Sequence, residues 1–277
     1  MLPDSLRDWS RDLTFLDRLE ITDDLRSKFN HVAYMADCTA KPGDNYKKAE
    51  INLLDKVDNR GSFLGPGRLS PFNPYNFNHS ADLIRGFACC LPFMRIQVGS
   101  LVLDSGSGYS WTTEWLMKMG VRAVGVEINR DYLDVGRLRM GVNQPELIIA
   151  DAENLPFAAG AFDAVLGFDA FHHIPNRERA MSEFARILRN GGQVTLVEPG
   201  EAHEAHPDSQ AVMAKYGNLE RGMSLSDVTD YIQGLPYAAP MEHFIVPLRA
   251  DDRRTVVATE LFKRDFIGWS LFTILRS

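Results

Sequence analysis

The chain has 277 residues and a mass of 31.2 kDa, with 45% hydrophobic and 24% charged residues, enough to bury a full core in one or two domains. Its formal charge of -7 and isoelectric point near 5.5 exclude a general affinity for nucleic acid, which depends on Lys and Arg neutralising phosphates. Cys38, Cys89 and Cys90 are too few for a disulfide framework, and no apolar run spells a membrane span. Asp4 and Asp8 stand where a secretory leader would carry basic residues, so a cytoplasmic protein with reduced cysteines is expected.

In chain order, Leu6, Trp9, Leu13 and Leu16 fall on one face of a helix-like segment that follows Pro3-Asp4. A Lys- and Gly-rich region, 41–67, ends in Gly65-Pro66-Gly67. In 71–80, Phe72, Tyr75 and Phe77 interleave with Asn73, Asn76, Asn78 and His79. This segment reads either as an ordered turn into a helix at 80–88 or as a lid over a ligand. The run Leu101-Val102-Leu103-Asp104 is a buried strand that ends in an acid and a turn, Ser105-Gly106-Ser107-Gly108, before a helix at 110–119. A second strand, 121–127, ends in Glu127, 19 residues beyond Gly108 and near where a carboxylate meets ribose hydroxyls in nucleotide-binding folds. Asn129 caps a helix running to about Met140. A third strand, 146–150, ends at Asp151, where a carboxylate could accept from an adenine amino group.

The fourth strand is 161–168, and Asn176 opens a helix with Met181, Phe184, Ile187 and Leu188 on one face, ending at Gly191-Gly192. The fifth strand is 193–198. Alternation of this kind gives a doubly wound parallel sheet whose ligand lies beyond the strands' C-terminal ends, where Asp104, Glu127, Asp151 and the segment after Phe168 converge. A dinucleotide fingerprint wants a glycine at the position held by Trp111. Its absence disfavours a pyrophosphate and a dinucleotide oxidoreductase, and suits a nucleoside without phosphates, a description that fits S-adenosylmethionine.

These segments together resemble the class I S-adenosylmethionine-dependent methyltransferases, most closely the small-molecule group that includes the ubiquinone and menaquinone C-methyltransferases. The resemblance covers about residues 98–200. It rests on Val102 to Gly108, Gly125-Val126-Glu127-Ile128, Asp151 to Phe157 with Ala161 to Val165, Phe171-His172-His173-Ile174 and Ala185 to Gly192. Departures are Ser105 and Asn190, the latter where proline is usual. The resemblance implies an α/β fold, a Rossmann-like seven-stranded and mostly parallel sheet with a C-terminal antiparallel hairpin at 241–247 and 268–275. A mainly helical N-terminal extension or lid, 1–97, would precede a methyltransferase domain, 98–277, with a helical insertion at about 199–237. The cofactor would be S-adenosyl-L-methionine, held by Asp104, Ser105, Gly106, Gly108, Glu127, Ile128, Asp151, Ala152, Glu153, Gly167 and Phe168. Asn73-Pro74-Tyr75 partly resembles a base-flipping motif of DNA amino-methyltransferases, but it lacks the second proline and precedes the cofactor motif.

The implied reaction is transfer of a methyl group to a small-molecule or saccharide-bearing acceptor, at oxygen, with His172 and His173 as candidate catalytic bases and Asp169 as a neighbouring alternative. The stretch Glu198 to His206 holds carboxylates and imidazoles, yet it reads as a solvated polar loop and no metal is assigned. The alternative function is a methyltransferase-like S-adenosylmethionine-binding protein without methyl transfer, a cyclase or binding partner.

Overall fold

The structure is a computed structural model and describes residues 44–57, 64, 67–74, 76–140, 146–245 and 269–277. The expected helix of Leu6 to Leu16, together with Gly65-Pro66, Tyr75, Gly141 and residues 246–268, lies outside them. The elements that matter for the site are helices α1 (Asp44–Ile51), α2 (Phe77–Cys90), α3 (Trp111–Lys118), α4 (Arg130–Met140), α5 (Arg177–Ile187), α6 (Pro207–Tyr216) and α7 (Leu225–Tyr231). The strands are β1 (Leu101–Ser105), β2 (Arg122–Glu127), β3 (Leu147–Ile149), β4 (Phe162–Phe168), β5 (Leu188–Pro199), β6 (Met241–Ile245) and β7 (Trp269–Leu275).

The seven strands form one sheet in the order β3-β2-β1-β4-β5-β7-β6. The first five are parallel, and β7 runs antiparallel to both β5 and β6, giving the expected C-terminal hairpin. The chain starts mid-sheet at β1, moves outward to β3, then crosses to β4 on the other side of β1. A crevice therefore opens between the C-terminal ends of β1 and β4.

Alternation along β1 sends its side chains to opposite faces. Leu103 joins Phe162, Val165, Met181, Phe184, Val228 and Phe272 under α5 and α7, whereas Val102 joins Leu83, Phe87, Trp111, Leu116 and Leu166 under α2 and α3. Both faces are thus covered, which is why the strands read as continuous apolar runs. On the second face the rings of Trp111 and Phe168 meet edge-on at 5.2 Å, and Phe87 reaches Trp111 at 5.4 Å. Helix α2, from the N-terminal region, supplies this packing. Burying one such aromatic stabilises the fold by about 1.5–3 kcal/mol.

Local signals place most termini. Asn129 Oδ1 accepts from the Asp131 amide at 2.9 Å, Asn176 Oδ1 from Arg179 at 2.8 Å, and Ser224 forms a capping box with Asp227 at the start of α7. Helix α2 starts at Phe77, three residues before the expected position, because the Asn76 side chain accepts from the His79 amide. Helix α5 ends at Ile187 rather than at the double glycine. Leu188 turns extended and pairs with Phe162, and the register then jumps so that Gln193 pairs with Ala164. Gly191 and Gly192 belong to that irregular stretch of β5.

Candidate active site

A cavity of about 340 Å³ sits over the C-terminal ends of the parallel strands. Its floor is the turn after β1. Gly106 and Ser107 both donate their amides to Val126 O at 2.9 Å, which ties the turn to β2. Gly106 has φ +72°, and a Cβ there would stand 2.5 Å from Ala170 Cβ, so the turns after β1 and β4 are pressed together. Gly108 has φ +51° and open space where its Cβ would point.

Glu127, at the end of β2, is buried and accepts from the Gly108 amide through Oε2 and from the Asn129 amide through Oε1, both at 2.9 Å. Burial raises its pKa, opposed by those amides. Each oxygen keeps acceptor capacity toward the cavity. Asp151, after β3, accepts from the Glu153 amide at 3.0 Å and from Lys47 Nζ at 2.9 Å, and Lys47 also reaches Glu153 at 2.5 Å. Burial works against the charge on Lys47, but Asp151 and Glu153 outweigh it and raise the pKa. Helix α1 thereby closes over the cavity. A second tie runs from Asn129 Nδ2 to Glu50 O at 2.8 Å.

The opposite wall is built around Glu198, at the end of β5. Its carboxylate is fully buried and accepts from the amides of Ala170, Phe171 and His172 and from His172 Nδ1 at 2.7 Å, closing the turn after β4. Burial alone would raise the Glu198 pKa, but the bond and charge of His172 hold it below the usual carboxylate range. Desolvation likewise opposes charging His172, yet Glu198 and Glu220 push its pKa up to about 10. His203 Nε2 lies 2.8 Å from Glu220 Oε2, and His172 Nε2 lies 3.5 Å from the same oxygen.

His173 differs from its neighbour. Its Nδ1 lies 2.6 Å from Leu219 O, a group that only accepts, so Nδ1 carries the proton and Nε2 the lone pair. Desolvation and the adjacent His172 lower its pKa to about 4, which keeps it neutral. Glu50, from α1, lies 3.5 Å from His173 Nδ1. Burial, then Glu127 and Glu220, raise the Glu50 pKa to about 8.

Of the residues singled out by sequence, Gly106, Gly108, Glu127, Ile128, Asp151, Ala152 and His173 line the cavity, as does Asp169. The other six stand behind the lining. Asp104 is buried and accepts from Thr112 Oγ1 at 2.6 Å and Thr113 Oγ1 at 2.5 Å, anchoring the first turn of α3 to β1. Burial raises its pKa to about 6 against those two hydroxyls. Ser105 is buried in the strand, Phe168 packs on Trp111, and Gly167 leaves room for Leu196. Glu153 anchors Lys47 and the Asn176 amide, and His172 is held by Glu198.

Several lining residues carry no sequence motif. Lys47, Glu50 and Leu53 arrive from the N-terminal region, Tyr132 from α4, and Val212, Tyr216, Asn218 and Glu220 from the segment after β5. The loop expected to be solvated after β5 proves partly interior: Glu198 is fully buried, and His203 reaches Glu220. His206 caps α6.

Comparison with known proteins agrees with this geometry. Residues 103–196 match the family described as "Methyltransferase domain". The methyltransferase GfsG of Streptomyces halstedii is 30% identical over 143 residues, 50% of this chain and 51% of that protein. A demethylmenaquinone methyltransferase of Clavibacter sepedonicus is 30% identical over 101 residues, 36% of this chain and 41% of the relative. The chain thus spans about half the length, or less, of these curated relatives. Among solved structures, phosphoethanolamine N-methyltransferase 2 of Haemonchus contortus, in complex with S-adenosyl-L-methionine, superposes with a TM-score of 0.61 at 16% identity, over 82% of this chain and 59% of that one. Residues 103–196 thus match a methyltransferase-domain family, and the strand order and glycine turn give the chain the fold of the solved methyltransferases.

Proposed function

We propose that the chain binds S-adenosylmethionine in this cavity and transfers its methyl group to a small-molecule or saccharide-bearing acceptor, at oxygen. The observation that carries the reading is the lining itself. Two glycines give backbone-level access, and among the described residues of the lining Glu127, Asp151, Asp169 and Glu220 face a single lysine, Lys47. Such a surface suits a ligand that carries positive charge and no phosphate. Glu127 would accept from the ribose hydroxyls, with Asp151 near the adenine and the Gly106 to Gly108 turn against the amino-acid end. When bound, the cofactor supplies an electrophilic methyl on a sulfonium, displaced in line.

Residues of the chain then orient the acceptor and handle its proton. His173 is neutral, with its Nε2 lone pair available, so it can take the hydroxyl proton as the oxygen–carbon bond forms. His172, held between Glu198 and Glu220, acts by positioning the turn. Calorimetry with S-adenosylhomocysteine tests the cofactor site: Glu127→Ala and Asp151→Ala should each weaken binding at least tenfold, and unchanged affinity in both would overturn the assignment. Radiolabelled methyl transfer to a panel of hydroxyl, amine and thiol acceptors tests the acceptor atom; label accumulating only on amines would overturn transfer to oxygen.

A further inference from the structure

We propose that the wall formed by His172, His173 and Glu220 is a binding site for a divalent transition-metal ion, with Glu50 as an additional carboxylate ligand. One ring nitrogen of each histidine and a carboxylate oxygen of Glu220 lie within 4.8 Å of one another. Donors each about 2.1 Å from a tetrahedral ion stand about 3.4 Å apart, and His172 Nε2 and Glu220 Oε2 are already 3.5 Å apart. Small side-chain movements would complete the set.

The surroundings of these donors carry the argument further. Imidazoles that ligate a metal usually give their other ring N–H to a carboxylate or a backbone carbonyl, which fixes the tautomer and the ring plane. His172 does so here through Nδ1, toward Glu198 at 2.7 Å, which leaves its Nε2 toward Glu220; His173 Nδ1 lies 2.6 Å from Leu219 O, 3.5 Å from Glu50 Oε1 and 4.0 Å from Glu220 Oε1. Glu220 is steadied in turn by His203 at 2.8 Å. An independent sign comes from α1. Glu50 Oε1 is buried without a hydrogen-bond partner, 3.5 Å from His173 Nδ1, and a buried carboxylate oxygen in that condition is costly unless a cation or a donor meets it.

Two imidazoles with carboxylate oxygens suit zinc, manganese or iron(II) better than magnesium or calcium, which prefer all-oxygen sets. His173, Glu50 and Glu220 line the cavity while His172 lies behind it. The ion would therefore sit in the wall with an open coordination position toward the acceptor. There it would hold an acceptor oxygen and lower its pKa, in place of proton transfer to His173, whose lone pair the ion would occupy. That role rests on the methyltransferase reading; binding of the ion does not.

The test uses the full chain, freed of metal by a chelator and titrated with Co²⁺, with Zn²⁺ as competitor. One equivalent of Co²⁺ should bind with the intense visible bands of a low-coordinate site and be displaced by Zn²⁺. Glu220→Gln and His173→Ala should each weaken binding at least tenfold, Glu198→Gln should weaken it by about 10–100-fold through loss of the outer contact, and His206→Asn should leave it unchanged. Circular dichroism of each variant separates loss of ligand from loss of fold. Wild-type affinity no greater than that of a folded Glu220→Gln variant, or the absence of ligand-field bands, would overturn the site. S-adenosylhomocysteine titrated into the same samples separates the two ideas. Its binding without cobalt binding sinks the metal alone, and cobalt binding without it sinks the cofactor assignment alone.

Discussion

Replacing Gly106 with alanine should destabilise the protein by two separable effects. At φ +72° an L-residue pays about 1–2 kcal/mol for the left-handed conformation. The new methyl would also stand 2.5 Å from Ala170 Cβ, well inside contact distance, and overpacking of that kind costs about 1–3 kcal/mol. The expected total is about 2–5 kcal/mol. Gly108 offers an internal control, since its φ is +51° but its Cβ would meet nothing within 4 Å; Gly108→Ala should cost only about 1–2 kcal/mol. Removing the opposing methyl in the double variant Gly106→Ala/Ala170→Gly should recover the steric part, a favourable coupling of about 1–3 kcal/mol, and leave the conformational part. Urea unfolding of these three variants, together with Ala170→Gly and the unaltered protein, all without cofactor, reads these differences at constant m-value. Equal losses in the two single variants, or no coupling in the double, would refute the claim that the turns after β1 and β4 are pressed together.

Glu146, just before β3, is buried with Oε2 unpartnered, and burial raises its pKa from 4.5 to about 7. The native state therefore holds a proton that the unfolded chain releases near pH 4.5, so stability falls as pH rises from about 4.5 to about 7 and is flat above. Glu146→Gln should gain about 3 kcal/mol at pH 8 and almost nothing at pH 4.5; a pH-independent difference in unfolding free energy would contradict this. Ser224→Ala removes half of the capping box on α7 and should cost about 1 kcal/mol in thermal or urea unfolding. Lys47→Met should release S-adenosylhomocysteine roughly tenfold faster in stopped-flow, since an ion pair with side chains only 12–13% exposed contributes about 1–2 kcal/mol. An unchanged release rate would mean that α1 does not hold the ligand.

The sheet and the side of the cavity formed by the ends of β1, β2 and β3 were legible because their signals are local. Each strand's apolar run, its terminal acid and the following turn lie within about ten residues, and the β1/β4 crossover brings the ends together without further information. Gly106, Glu127 and Asp151 could therefore be placed from spacing alone. Asp104 shows where this reasoning stops: an acid at a strand end can face a ligand or reach back to Thr112 and Thr113, and only the side-chain direction decides. Glu50 and Glu220 were illegible for a different reason. They come from segments with no recognisable motif, 77 residues before Glu127 and 93 residues beyond it, and the folded backbone alone brings them to the wall. Glu198 read as a loop acid because its partners are amides of another turn, which no pattern in 198–206 reveals.

The fastening of α1 has a kinetic meaning. The helix is held by Asp151 and Glu153 through Lys47 and by Asn129 through the Glu50 carbonyl, so its anchors stand at the rim of the chamber they close. On the proposed reading, a spent cofactor that leaves past this helix must wait for those ties to break, and so must the next molecule that enters by the same way. Turnover would then be paced by how often this short helix lifts, and the occupancy of the chamber between turnovers would depend on ionic strength as well as on cofactor concentration.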